Sequence, residues 1–311
     1  METIKVAFGF DEDYSIHGLV TSLSLLDSAL KKGEQSKYDL FFLSEMELSE
    51  ETKGMFFDYL GRYSNLQQIR FFSAARKFEE KYVSKHLSKA TYLRLEIPEL
   101  IEERRVIYSD VDVIYLSGLG DLWKVDVRDF YLAAVVDVGL NQERKFERKR
   151  SQLPYWGRYF DERRGTYFQA GLLLMNLDEI RKDGLYDKWK ALSREKFEQH
   201  DMDIINITCF PKIKKIGSEY AVIPRYFLKR GYELGVKEGF LDLCELRNVY
   251  EAPVLIHYAG PDKPWSFPSV PGSHEYWSFV RKFPKVEKEL KKRYSWSLKD
   301  RLKTLFVRPL F

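Results

Sequence analysis

The sequence has almost no cysteine: Cys209 and Cys244 are the two in 311 residues. A disulfide scaffold is excluded, and the spacing of the pair fits no metal motif. A reducing compartment is the default for such a chain. Long apolar runs are missing as well. No stretch reaches the roughly 18 consecutive apolar residues of a membrane-spanning helix. The N-terminus, Met1-Glu2-Thr3-Ile4-Lys5, runs straight into a strand pattern. It has no basic segment followed by an apolar stretch, so no secretory leader is visible and a cytoplasmic location is expected. No internal repeat or low-complexity stretch stands out.

What is present is material for a sizeable core. Hydrophobic residues make up 44% and charged residues 32%, which excludes global disorder. The length allows one or two domains. The 20 Tyr, 22 Phe and 6 Trp are a composition shared by carbohydrate-handling proteins and by ordinary aromatic cores. The net charge of +4 is unevenly placed. Residues 281–311 hold eleven Lys or Arg and three acids, leaving 40 basic and 44 acidic residues for the remainder. The body is therefore acidic, which argues against a surface that tracks nucleic-acid phosphates. The basic character belongs to a tail, so the expected division is 1–265 as the main domain and 266–311 as a C-terminal tail. In the tail Leu298, Leu302, Leu305 and Phe306 recur at helical spacing among Lys299, Arg301, Lys303 and Arg308, with Trp296 and Phe311 as aromatic anchors. This pattern fits an interfacial helix on an anionic membrane face; it also fits a helix packed on the body or on a partner.

Strand and helix patterns alternate along the body. Ile4 to Phe10, Asp39 to Leu43, Leu66 to Phe72, Arg105 to Ser109, Leu132 to Val136, Gly171 to Asn176 and Val254 to Tyr258 read as strands. Helical spacing runs from Ile16 to Leu30, Leu48 to Tyr63 and Ala90 to the neighbourhood of Pro98. The alternation predicts an α/β fold, a mostly parallel sheet of Rossmann-like type with helices on both faces. Ligands of such sheets bind outside the carboxyl ends of the strands. Asp11, Asp110 and Asp137 all directly follow predicted strands, which places a polar site on that edge. Residues 139–168, dense in charge and broken by Pro154, Gly157 and Gly165, read as a small helical insertion or a solvated connector. From Tyr220 to Val254 the pattern is irregular.

The central motif is Ile107-Tyr108-Ser109-Asp110-Val111-Asp112-Val113. Two carboxylates one residue apart, on a turn after a buried strand, can face one cation. Hard divalent ions that work on phosphates are held by one or two carboxylates plus phosphate oxygens. The second motif is Ile256-His257-Tyr258-Ala259-Gly260-Pro261-Asp262-Lys263-Pro264-Trp265. His257 is either a structural histidine or a third ligand, and the Gly260 and Lys263 that follow favour the ligand. Oxygen ligands with one imidazole suit manganese, with magnesium as the alternative. Gly260 allows close backbone approach to a diphosphate, and Lys263 supplies a point charge for its oxygens.

These motifs, with Phe8 to Tyr14, Thr91-Tyr92-Leu93-Arg94-Leu95, Tyr167-Phe168-Gln169-Ala170-Gly171 and Asp201-Met202-Asp203-Ile204-Ile205-Asn206, resemble glycosyltransferase family 8 over roughly residues 4–265. That family comprises retaining enzymes, among them bacterial lipopolysaccharide galactosyl- and glucosyltransferases and glycogenin. The resemblance implies a UDP-sugar donor, glucose or galactose as the sugar, and a saccharide or glycolipid acceptor of a bacterial surface glycan. It implies that Asp110, Asp112 and His257 bind manganese, and that Gly260 and Lys263 contact the diphosphate. Asp11 would bond the uracil and Tyr14 would stack on it, within a donor-binding set that also includes Gly9, Asp13, Tyr108 and Trp265. Arg94, Asp137 and Asp201 would line the sugar pocket, with Asp137, Gln169 and Asp201 as the catalytic candidates. Two residues depart from the family: Gln169 stands where Asn is usual, and Met202 where Gln is frequent. Met202 offers no oxygen nucleophile. This favours a front-face mechanism in which the leaving diphosphate helps deprotonate the acceptor, with Asp201 as fallback nucleophile or stabiliser of positive charge. Two other readings fit the residues less well. A metal-dependent nucleotidyltransferase generally carries an early Gly-rich loop with basic residues, whereas Phe8 to Tyr14 has only Gly9 and is acidic; a non-catalytic carbohydrate-binding protein would release no UDP from a UDP-sugar with metal.

Overall fold

The structure is a computed structural model that describes residues 3–74, 89–146, 166–228, 230–297 and 309–311. Strand β1 (Thr3–Gly9) leads into helix α1 (Ser15–Lys31), followed by β2 (Lys37–Ser44), α2 (Glu50–Leu60) and β3 (Leu66–Ser73). Helix α3 (Leu93–Leu100) precedes β4 (Arg105–Ser109), the three-residue β5 (Val113–Tyr115), α4 (Gly120–Trp123), β6 (Leu132–Val136) and α5 (Val138–Phe146). Then come β7 (Phe168–Asn176), α6 (Leu177–Lys182), α7 (Leu185–Leu192), α8 (Asp201–Cys209) and β8 (Ile213–Ile216). The last part holds α9 (Arg225–Leu228), α10 (Gly231–Lys237), α11 (Leu243–Glu251), β9 (Leu255–His257), α12 (Ser273–Val280) and α13 (Pro284–Arg293).

The main sheet has the order β3-β2-β1-β4-β7-β6-β8. All its neighbours pair in parallel except those of β7, which runs antiparallel to both β4 and β6. The predicted mostly parallel sheet is therefore present, with one reversed strand. Its inner strands are largely buried on both faces, which is why they read as apolar runs such as Leu132–Val136, while the edge strands β3 and β8 are partly exposed. One face carries the cluster of Val6, Phe8, Leu40, Phe42, Leu23 and Trp277, the other that of Ala7, Phe41, Leu93, Leu95, Leu173 and Trp189.

A second sheet has two strands, and it decides where the site lies. β5 pairs antiparallel with β9, with Val113 opposite His257. The Tyr258 amide donates to the Asp112 carbonyl at 2.9 Å. The free edge of β5 is taken up by hydroxyls of α1. Thr21 Oγ1 donates to the Val111 and Val113 carbonyls (2.8 and 3.0 Å), and Ser28 Oγ to the Tyr115 carbonyl (2.7 Å). Ser24 Oγ receives the Tyr115 amide at 3.0 Å. A buried strand edge must have its polar groups satisfied, and short side chains on a helix reach it without widening the gap.

Three local features differ from the pattern reading. Pro98 lies inside α3 rather than at its end. The carbonyls around the helix terminus are taken by the Arg181 guanidinium, which donates to Pro98 O, Ile101 O and Glu103 O. The irregular stretch after Tyr220 contains α9, α10 and α11 around Val222, Tyr232, Leu241 and Val249. Of the expected insertion, α5 is described, and residues 147–165 lie outside the described residues.

Described residues beyond Trp265 pack with the body. Trp277, Val280, Leu290 and Trp296 belong to the same cluster as Val6 and Phe8. Trp296 is buried, its ring 4.4 Å from Trp277, and its Nε1 donates to the Trp265 carbonyl at 2.5 Å. It is a core residue and not a lipid anchor, because its only polar atom is committed inside. The amphipathic run Leu298 to Arg308 lies outside the described residues.

Candidate functional site

At the carboxyl edge of β4 the chain turns at Asp110, whose amide donates to the Gly171 carbonyl at 2.8 Å. Two residues later Asp112 enters β5, and the β5–β9 register brings His257 alongside. His257 Nε2 lies 3.2 Å from Asp112 Oδ1 and 3.6 Å from Asp110 Oδ2. One ligand atom from each of the three residues falls within 4.8 Å of the others. Asp112 Oδ1 is buried and accepts no aligned hydrogen bond in spite of the nearby imidazole. Ligands at right angles on a cation with roughly 2.1 Å bonds stand about 3 Å apart. The donor set and its spacing fit a hard divalent ion.

Gly171 makes room for this group. A Cβ there would lie 2.3 Å from His257 Cε1, 2.7 Å from His257 Nδ1 and 3.1 Å from Asp110 Oδ2. Any side chain at 171 displaces the imidazole.

Cations surround the acids. The buried Arg94 donates Nη2 to Asp110 Oδ1 at 2.7 Å, pairs through Nε with Asp201 Oδ2 at 3.0 Å, and donates Nη1 to the Ala170 carbonyl. Its guanidinium lies 4.6 Å from the Tyr108 ring centre, and the Tyr108 hydroxyl donates to Asp110 Oδ1 at 2.8 Å. Thr91 Oγ1 donates to Asp201 Oδ1 at 2.5 Å. Lys263 donates to Asp112 Oδ2 and, at 2.7 Å, to the Tyr258 carbonyl. Burial pushes Asp110 above the usual carboxylate range, Arg94 opposing and Asp112 adding to the rise. Burial acts on Asp112 too, but the charges of Lys263 and His257 outweigh it and hold Asp112 far below that range.

The sugar-pocket candidates lie nearby. Asp137 is buried after β6, and burial raises it, against the Leu140 amide and the Tyr226 hydroxyl that donate to its Oδ1 (2.8 and 3.1 Å). Gln169 is buried on β7, and its Oε1 has no hydrogen-bond partner. Met202 sits on α8 beside Asp201, partly buried.

At the other end, Asp11 caps the single turn Glu12–Tyr14, its Oδ1 accepting the Tyr14 amide at 3.0 Å. Glu12 fastens that turn to the start of α2 through Ser49 and Thr52. Asp13 is exposed, and its carbonyl accepts from Arg293. Tyr14 packs at 4.9 Å on His17 and 6.4 Å from Trp265. Trp265 is buried and stacked on His17 at 4.0 Å, so it backs the turn from the core. Gly9 lies under Leu93, whose Cβ would be 3.1 Å from an added Cβ. Gly260 adopts φ +92°, a left-handed conformation that glycine takes without strain. Among the described residues, the structure therefore gathers Arg94, Tyr108, Asp110, Asp112, Asp201, His257 and Lys263 into one connected group. Asp11, Asp13 and Tyr14 form a separate turn beside it.

A family model described as glycosyl transferase family 8 matches residues 5–268. The chain belongs to glycosyl transferase family 8. A lipopolysaccharide 1,2-glucosyltransferase of Escherichia coli is 25% identical over 271 residues, covering 85% of this chain and 74% of the relative. A solved structure of the galactosyltransferase LgtC in complex with donor and acceptor sugar analogues superposes with TM-score 0.74 at 21% identity, covering 93% of this chain and all of that one. The WbbM bifunctional glycosyltransferase superposes with TM-score 0.75 at 24% identity, covering 94% of this chain and 52% of that larger chain. The two structures show the same fold. This family 8 member is accordingly a glycosyltransferase, and among its described residues no helix is long and apolar enough to cross a membrane.

Thr91, Gly171, Arg225 and Tyr226 reach the site without having been singled out for a role by the sequence. Thr91 and Gly171 lay within recognised motifs, so their signal was present. Arg225 and Tyr226 lie in the stretch that read as irregular, and no motif marks them.

Proposed function

We propose that this enzyme transfers glucose or galactose, with retention of configuration, from a UDP-sugar to a saccharide or glycolipid acceptor of a bacterial surface glycan. The observation that carries this reading is the convergence of Asp110, Asp112 and His257 at one point of the sheet edge, with Lys263 attached to the group. The lipopolysaccharide glucosyltransferase relative supports a surface glycan as the product. Asp110, Asp112 and His257 would hold manganese, or magnesium in its place, and the ion would offset the negative charge that grows on the diphosphate as its bond to the sugar breaks.

The chain's own residues set up the rest. Lys263 adds a positive charge on the diphosphate side, favouring the charge-separated transition state over the ground state. Arg94 ties Asp110 to Asp201, so the metal end and the sugar end are held in one arrangement. Asp201 is buried with one oxygen on Thr91 and the other on Arg94, an arrangement suited to stabilising positive charge on the sugar rather than to attacking it. Met202 adds no nucleophile. These features support front-face transfer, in which the departing diphosphate accepts the proton of the acceptor hydroxyl. Gln169 Oε1, buried and without a hydrogen-bond partner, would accept a bond from a sugar hydroxyl. Asp11 and Tyr14 would receive the uracil, with Gly9, Asp13 and Trp265 shaping that end, while Tyr108 would hold Asp110.

The test is release of free UDP from UDP-glucose and UDP-galactose, with and without manganese. Metal-dependent release is expected with one of the two donors, slowly even without acceptor. Absence of metal-dependent release from both would favour a carbohydrate-binding protein.

A further inference from the structure

Three side-chain cations border the site: Arg94, Lys263 and Arg225. Arg94 is paired with Asp110 and Asp201, and Lys263 with Asp112. Among the described residues no carboxylate forms an ion pair with Arg225, which is exposed. A solvated arginine is common on any surface, and what distinguishes this one is where it is held.

Val222 bridges Ile256 in parallel, and the His257 amide donates to the Val222 carbonyl at 2.8 Å. The two strands of chain then run on side by side, which carries Arg225 alongside the loop that links His257 to Lys263. Arg225 Nη1 stands 2.6 Å from the point a Cβ on Gly260 would occupy. The missing side chain of Gly260 is thus the space into which the guanidinium fits. The segment is anchored on both sides. The Ile223 amide donates to the Tyr232 hydroxyl at 2.6 Å, and Pro224 packs against Gly272, where an added Cβ would be 3.1 Å from Pro224 Cγ. The guanidinium lies 5.4 Å from the Tyr226 ring, whose hydroxyl donates to Asp137. Arg225 therefore spans the gap between the Gly260 loop and the sugar pocket.

A charge count shows what it faces. A divalent ion cancels Asp110 and Asp112, and Arg94 matches Asp201. The two fixed charges of a sugar-bound diphosphate then remain, with Asp137, on which the Arg225 charge also acts, against Lys263 and Arg225. We propose that Arg225 is a further binding and catalytic residue that contacts the phosphate next to the sugar, from its place beside Gly260. This rests on the UDP-sugar reading given above. It assigns to Arg225 part of the charge that the leaving diphosphate gains, and it requires glycine at 260.

The test compares UDP with UMP, which lacks that phosphate, by titration calorimetry in the presence of manganese. Arg225→Gln is expected to weaken UDP binding about 10- to 100-fold, the worth of one charge-assisted hydrogen bond, while UMP binding changes less than about twofold. Arg225→Lys is expected to recover part of the UDP affinity. Equal effects on UDP and UMP, or no effect on either, overturn the proposal. Unchanged UDP affinity with lost inhibition by glucose 6-phosphate relative to glucose also overturns it, since the charge then serves an anionic acceptor. A wild-type protein that does not prefer UDP over UMP overturns the donor reading itself, a result separable from all of these because no variant is involved.

Discussion

Asp112 has neighbours that act on it in opposite directions. Without a metal it is held by Lys263 and faces His257. A bound ion would take over that carboxylate and free Lys263 for a phosphate, so the group would exchange one set of charge pairs for another without leaving a buried charge alone. Asp112→Asn keeps the shape and removes the charge. It is expected to lower UDP-sugar turnover at least about 100-fold while far-UV circular dichroism stays unchanged; near-normal turnover would remove Asp112 from the metal site. Gly171→Ala tests the same group from behind. Its Cβ would overlap the His257 ring at 2.3 Å, so weaker manganese binding is expected, read by calorimetry on the apoprotein. Unchanged manganese affinity would show that His257 is not needed where it stands.

Between elements, the site depends on tethers that periodicity does not reveal. Asn206 on α8 accepts the Phe168 amide and donates to the Phe168 carbonyl, both at 2.8 Å. It thereby fixes the start of β7, which carries Gln169 and Gly171, against the helix that carries Asp201. Asn206→Leu leaves both backbone groups buried without partners, and a loss of about 2–4 kcal/mol in urea unfolding is expected. The fold class and most strands were legible because buried strands make compact apolar runs. β5 was not, because three residues carry no period and its partner β9 lies some 140 positions along the chain. The reversal of β7 was not legible either, since an apolar run has no direction. α11 had a signal that went unread: Asp242 and Glu245 form a capping box, the pattern that opens a helix. At the site, paired acids and the His257 loop stood out by their spacing. Arg225 did not, since a lone arginine acquires meaning only from the Val222–Ile256 bridge that places it.

On the scale of the whole molecule, the C-terminal helices hold the Glu12–Tyr14 turn, the proposed nucleotide end, through Arg293. His17 lies under this join, 2.7 Å from the Tyr294 hydroxyl and 3.3 Å from that of Tyr276. Burial, reinforced by the charge of Arg293, pushes its pKa down to about 3. The folded protein keeps this imidazole neutral while the unfolded chain protonates near pH 6.5, so the contribution is full above that value and is lost as the pH falls. Between about pH 6 and 3 the slope from this residue approaches ~1.4 kcal/mol per pH unit. His17→Asn is expected to be less stable than the parent at pH 7 and to lose less on going to pH 5, as read by denaturant melts at both values; parallel curves would exclude His17 as the source. The proposed attachment of the basic tail to an anionic membrane face is tested by truncation after Ser297, which spares the buried Trp296. Reduced flotation with vesicles containing phosphatidylglycerol is expected, and equal flotation would assign the tail to another partner.

The Arg293 contact with the Asp13 carbonyl joins positions 280 residues apart. During synthesis the turn that would receive the nucleobase leaves the ribosome 280 residues ahead of the arginine that clamps it. A nascent chain could form much of the sheet and still lack a closed nucleotide end. Competence to take up donor would then arrive abruptly, once α13 and Trp296 had emerged and docked.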